Sequence, residues 1–194
     1  MDKKNIESYL TFKLQNELFA VSVHKVLEII ETGEEHTITP LPKAPPTISG
    51  VVNFRGNVIP VVDTRKKFDF QDYLNGDKYV VIVLNLTING SDHFIGALAD
   101  KVVDVIEIDA NLIKPVPEVG QGYNSEFIQG VVHYDNRFIM VLNLEAAMGT
   151  NEIITLKVDE ASETETESHS LEQQEDVGVS SVEVEENEVV DGNE

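Results

Sequence analysis

The residue types able to do chemistry are few and scattered. Five histidines, His24, His36, His93, His133 and His169, stand in separate segments with no HxH, HxxE or HExxH spacing. Without such local ligand spacing a metal site has no support in the sequence, and none is expected. The chain has no Cys, which removes thiolate zinc sites, disulfides and Cys nucleophiles together. No GxSxG elbow supports nucleophilic hydrolysis. Gly120-Gln121-Gly122 lacks a third glycine and follows a PVP segment instead of a strand, so it reads as a loop and no cofactor is expected. Asp63 and Asp100 would serve an acyl- or glycosyl-transferring enzyme only if the fold converged them in a concave pocket. Arg65-Lys66-Lys67 is bordered by Asp63, Asp69 and Asp72, too short a basic run for a nucleic-acid stripe. What remains is Arg55, in Asn53-Phe54-Arg55-Gly56, and Glu28, in the apolar run Val26-Leu27-Glu28-Ile29-Ile30. A guanidinium can hold a carboxylate and still present donors to a partner. Spacing alone leaves open whether these two charges meet.

The elements that must position them are strands. Short β-branched, Leu-rich and aromatic runs alternate with turn residues, the pattern of an all-β chain. Strands are expected over Tyr9 to Leu14, Leu18 to Val23, Leu27 to Ile30, Gly50 to Phe54 and Val58 to Val62. Five more are expected over Tyr79 to Thr87, Phe94 to Ala99, Val103 to Ile108, Ile128 to Tyr134 and Arg137 to Leu142. Gln15-Asn16, Arg55-Gly56-Asn57, Asn89-Gly90-Ser91-Asp92 and Asp135-Asn136 supply residues that reach positive φ cheaply, as hairpin turns require. Helix is expected only at Pro46 to Ser49, Thr64 to Phe68 and Glu145 to Met148.

The chain also repeats itself. A shift of 80 residues lays Ile48 to Asp63 on Ile128 to Asn143 with six of sixteen columns identical. A shift of 76 lays Lys25 to Ile30 on Lys101 to Ile106, and a shift of 75 lays Pro40-Leu41-Pro42 on Pro115-Val116-Pro117. Three blocks in the same order indicate duplicated halves, each a small barrel or sandwich of about five strands. The expected division is 1–77 for the first half, with its N-terminal strand free to cross to the second, 78–157 for the second, and 158–194 for a tail.

Charge divides the same way. There are 35 Asp and Glu against 14 Lys and Arg, a net of −21, and residues 158–194 hold 14 of the acids and none of the bases. The remainder carries 21 acids and 14 bases, a net of −7. The tail has no aromatic residue and too little apolar surface to offset the entropy of ordering, so it is expected to be disordered. A polyanion gains nothing by displacing counterions from nucleic acid or anionic lipid, which disfavours both as partners. The charged N-terminus and the absence of any run near the ~18 apolar residues of a membrane span point to a cytoplasmic protein without membrane insertion.

The runs YLTFKLQNELFAVSVHKVLEIIE, LPKAPPTISGVVNFRGNVIPVVDTRKKF, VVIVL, IGALADKVVDV, IKPVPE, FIQGVV and IMVLNLE resemble the CheW family of bacterial chemotaxis scaffold proteins. The likeness covers nearly all of residues 8–148, and GVVNFRGNVIPVVDTR is its most specific stretch. It implies two SH3-like five-stranded β-barrels and a non-enzymatic adaptor that couples the cytoplasmic tip of a chemoreceptor to the regulatory domain of the histidine kinase CheA. In that family the receptor occupies the groove between the barrels. The positions matching here are Val26, Glu28, Gly50, Arg55, Gly96 and Val102, with Val105 near the same surface, and the family's groove arginine and glutamate pair. The kinase is expected at the ends of the barrels, with no residue assigned, and the chain is expected to be monomeric outside receptor arrays. An adaptor of another chemosensory pathway, twitching motility or development, would have the same sequence features. Departures are a long Thr32 to His36 segment, Thr64 and Phe54 where Leu is usual, and the acidic tail.

Overall fold

The computed structural model describes residues 4–31, 37–74, 76–116 and 125–149. Among them are ten strands: β1 Ile6–Leu14, β2 Glu17–Ser22, β3 Val26–Glu31, β4 Ile48–Phe54, β5 Asn57–Val62, β6 Val80–Ile88, β7 Ser91–Ala99, β8 Lys101–Asp109, β9 Ile128–Tyr134 and β10 Arg137–Leu142. Two short helices come after β5 and β10, α1 Thr64–Lys67 and α2 Leu144–Met148. All ten expected strands are present, within three residues of the expected bounds. The expected helix at Pro46 to Ser49 is not. There Ile48 N–H closes a turn on Pro45 O at 2.9 Å and β4 begins at once, because two consecutive prolines push the backbone toward extended conformations. The tail, the Thr32 to His36 segment and Gly120-Gln121-Gly122 lie outside the described residues.

The strands form two five-stranded sheets of matching order, β3-β6-β7-β5-β4 and β8-β1-β2-β10-β9. Each curls on itself around an apolar interior. Ile30 of β3 meets Val52 and Phe54 of β4 inside the first barrel, and Ile106 and Ile108 of β8 meet Val132 of β9 inside the second. The boundary expected between residues 77 and 78 is therefore corrected. Both N-terminal strands, β1 and β2, belong with β8 to β10, while β6 and β7 complete the barrel of β3 to β5. Which strands pair is decided by long-range packing, about which a local apolar run carries no information.

A larger core joins the barrels. Because side chains alternate across a strand, Val81 and Val83 of β6 point into the first barrel while Ile82, Leu84, Leu86 and Ile88 point toward the second. β1 does the converse, with Tyr9 inward and Leu10, Phe12 and Leu14 toward the shared core. Strands buried on both faces read as unbroken apolar runs, which is why VVIVL lacks alternation.

The duplication is visible in bonds as well as in topology. Thr39 bridges Val51 beside β4, and Lys114 bridges Val131 beside β9, at the shifts of 75 and 80 found in sequence. Asp63 caps α1 by accepting from Lys66 N–H at 3.1 Å, and Asn143 caps α2 by accepting from Ala146 N–H at 3.2 Å. Glu28 stands opposite Val83 and Asp104 opposite Thr11, each beside a bulge that leaves Leu27 or Val103 out of register. At the second bulge the Thr11 hydroxyl donates to Asp104 O at 2.9 Å and accepts from Asp104 N–H at 3.1 Å, which satisfies the one polar side chain buried at that point of β1.

Candidate functional site

Arg55 and Glu28 meet where the first barrel closes. The β4–β5 turn places Arg55 at φ 51° and Gly56 at φ 85°, and Gly56 N–H donates to Asn53 Oδ1 at 3.0 Å. The Arg55 Nη2 then lies 2.8 Å from Glu28 Oε2 on β3, with its Cζ 4.9 Å from the centroid of the Phe54 ring. Phe54 is buried in the barrel, so the guanidinium rests on a fixed platform. The side chains remain 69% and 42% exposed. A pair this open contributes only about 0–1 kcal/mol to folding, so the arrangement is better suited to presenting charge than to holding the barrel together.

Elsewhere on β3 and β8 the shared core reaches the surface. Val26 and Val102 begin their strands in equivalent places, opposite Leu84 and Phe12, and both pack half-buried against the core between the barrels. Farther along, Ile29 stands opposite Ile82 and Val105 opposite Leu10; Ile82 and Leu10 face the shared core, and Ile29 and Val105 carry that apolar face outward, 40% and 54% exposed. Ile29 was not among the residues expected from sequence, although the 76-residue shift lays it on Val105. Val26, Ile29, Val102 and Val105 are thus apolar positions on the shared-core side of β3 and β8, whereas Glu28 stands opposite Val83, which points into the first barrel, so the ion pair lies on the other face of β3. At the equivalent of Arg55 in the second barrel stands Asp135, and at the equivalent of Glu28 stands Asp104, two like charges that cannot pair.

Gly50 and Gly96 sit inside β4 and β7 and not on the surface. A Cβ on Gly50 would lie 2.1 Å from Thr39 O, and its φ is +144°. A Cβ on Gly96 would lie 2.7 Å from a methyl of Val81. Both are buried and let neighbouring chains approach. Gly130, the counterpart of Gly50, meets Lys114 O in the same way at 2.6 Å.

The remaining chemistry-bearing residues are drawn into structural contacts. Asp63 is occupied as the α1 cap, with Lys66 Nζ 3.6 Å from its other oxygen. Asp100 accepts from Arg65 Nε at 2.8 Å and from Gln15 N–H at 2.6 Å. Both carboxylates are therefore engaged in contacts of the frame. The basic run is likewise engaged: Arg65 also stacks 3.9 Å over the Tyr73 ring, and Lys67 lies 5.3 Å from the Phe127 ring. The Asp100 hydrogen bond pushes the Arg65 pKa up, against a smaller effect of burial. Among the described residues no group of three His, Asp or Glu is placed to hold a metal ion, and no helix is long and apolar enough to cross a membrane. A second apolar surface lies at the end of the second barrel, where Leu112, Pro115, Val131 and the largely exposed Phe138 line a shallow recess of about 730 Å³.

Two five-stranded barrels around a shared apolar core, with one presented ion pair and carboxylates committed to the frame, have the form of a protein-binding scaffold. The chain belongs to the CheW-like domain family, whose model matches residues 8–152. It is 31% identical over 147 residues to the chemotaxis protein CheW of Klebsiella aerogenes, covering 76% of this chain and 84% of that one. It is 27% identical over 148 residues to the chemotaxis protein CheW of Treponema pallidum, covering 74% and 83%. The crystal structure of the scaffolding protein TtCheW from Thermoanaerobacter tengcongensis matches with a TM-score of 0.65 at 28% identity, over 78% of this chain and 93% of that one. The family is one of chemotaxis scaffolds and not of enzymes.

Proposed function

We propose that this chain is a non-enzymatic adaptor that couples the cytoplasmic tip of a chemoreceptor to the regulatory domain of the histidine kinase CheA. The observation that carries the reading is the Arg55–Glu28 pair, presented to solvent on β3, the other face of which carries the apolar Val26 and Ile29. A helical tip with apolar residues on one face and a polar group at its margin is complementary to that arrangement. Gly50 and Gly96 shape the wall from behind. The kinase occupies the apolar barrel ends, Val58 with Phe94 on the first barrel and Phe138 with Leu112 on the second, all exposed. Such small surfaces give modest affinity singly, and assembly into arrays at the membrane supplies the rest through multivalency. The test is a pull-down with a receptor-tip fragment and a kinase regulatory-domain fragment, using the full chain and its Arg55→Glu variant. Capture of both fragments, with loss of the receptor fragment alone in the variant, supports the reading. Capture of neither overturns it, and the identity of the receptor recovered from cells assigns the pathway.

A further inference from the structure

The described chain passes between the barrels twice. It leaves the second barrel for the first at the β2–β3 junction, Ser22 to Val26, and returns at Asp100 between β7 and β8. An ion pair from a helix holds each passage. Arg65, the second residue of α1, pairs with Asp100 at 2.8 Å, and Glu145, the second residue of α2, pairs with Lys25 at 2.5 Å. Arg65 and Glu145 are equivalent under the 80-residue shift, and Asp100 and Lys25 occupy neighbouring places under the 76-residue shift. The duplicated fold has kept the clamp in both copies while exchanging the signs of its charges.

Each clamp leads directly into a residue of the proposed receptor groove. Val26 is the next residue after Lys25, and Val102 lies two residues after Asp100; both pack against the core between the barrels. We infer that Lys25 and Glu145, together with Arg65 and Asp100, are positioning residues for the receptor groove: they fix where Val26 and Val102 emerge without touching the receptor themselves. This inference rests on the groove reading proposed above. The two clamps are unequal. Arg65 and Asp100 are 12% and 16% exposed and Asp100 is also held by Gln15 N–H, whereas Lys25 and Glu145 are 34% and 35% exposed. The Lys25–Glu145 side can therefore be broken without unfolding the barrels.

The experiment compares full-length Lys25→Glu, Glu145→Lys and the double exchange in binding to a receptor-tip fragment and to a kinase regulatory-domain fragment, with melting temperature measured alongside. Each single reversal is expected to weaken receptor-tip binding about threefold to tenfold, the range open to a partly exposed pair turned repulsive. Kinase-fragment binding should stay within about twofold, and the double exchange should restore most of the receptor affinity. Unchanged receptor binding in the single variants overturns the inference, as does a loss that falls equally on both fragments in step with melting temperature, or a double exchange that restores nothing. Arg55→Glu run in parallel separates the two claims. Loss with Arg55→Glu but not with Lys25→Glu removes the clamp and keeps the groove, and no loss with Arg55→Glu removes the groove and the inference with it.

Discussion

The Nη2 of Arg55, at the tip of one hairpin, lies 2.8 Å from the Oε2 of Glu28 on a strand at the opposite edge of the same sheet. The two come from the first and last strands of a five-stranded order, so their contact is a consequence of barrel closure. Their exposure makes them a poor stability device and a serviceable recognition device. Arg55→Glu should shift folding stability by no more than about 1 kcal/mol while reducing receptor-tip affinity about tenfold or more. Denaturant melts and a binding titration on the same sample check both halves, and a melt shifted well beyond that bound with binding intact would reverse the assignment.

The glycines at Gly50 and Gly96 call for a different expectation. Gly50 combines a φ of +144° with backbone at 2.1 Å from any Cβ, and the Thr39 carbonyl, held by the Val51 N–H at 2.8 Å, cannot move aside cheaply. Gly50→Ala should cost about 2 kcal/mol or more. Gly96→Ala meets only valine methyls at 2.7 and 3.2 Å, which can repack, and should cost about 1–2 kcal/mol. Gly130→Ala, with a carbonyl at 2.6 Å and no positive φ, should fall between them. Urea melts give the order directly. Loss of receptor binding in the Gly50 variant would then track unfolding, and full stability with lost binding would make Gly50 a contact residue.

Much of this was legible in the chain because it is locally encoded. Turn residues such as Asn89-Gly90 and Asp135-Asn136 must take positive φ, and the strands they join are set by them. The duplication was readable over β3 to β5 and β8 to β10, where the repeated blocks lie. It was not readable over β1–β2 and β6–β7, whose sequences share only the property of being apolar: the N-terminal strand was expected to be free to cross, but that β2 goes with it and that β6 and β7 join β3 to β5 escaped. Burial of Gly50 and Gly96 depends on which chain passes behind them, and no residue type announces that. Ile29 had a signal, since the same shift that aligns Glu28 with Asp104 aligns it with Val105.

Tyr9 gives the fold a dependence on alkaline pH. It is buried in the second barrel, and burial, with the Glu7 carboxylate at 3.1 Å from its hydroxyl, pushes its pKa from 10.0 up to about 12. The folded state therefore favours the neutral phenol more strongly than the unfolded chain does. The resulting stability is complete below the unfolded pKa of 10.0 and is lost as pH rises toward about 12. Denaturant midpoints should be flat with respect to this group up to about pH 10 and fall above it. Tyr9→Phe should reduce the fall, leaving the part due to Tyr73, whose pKa burial also raises. A slope identical in wild type and Tyr9→Phe would remove Tyr9 from the account.

Phe138 tests whether the two partners use separate surfaces. It stands exposed beside a recess lined by Leu112, Pro115 and Val131 on the second barrel, on the hairpin equivalent to the one that carries Arg55, but where Arg55 pairs with Glu28 the second barrel offers Asp135 and Asp104. Large exposed apolar side chains next to a recess are the sites at which partner burial yields most of the binding energy. Phe138→Glu should therefore lower affinity for the kinase regulatory domain about tenfold or more and leave the receptor-tip affinity within about twofold, the mirror image of Arg55→Glu. Because Phe138 is exposed, the substitution removes little folded-state packing, and an unchanged melt is part of the expectation. If Phe138→Glu instead weakens both partners equally at constant stability, the groove and the barrel end act as one surface. The division of labour between them then fails.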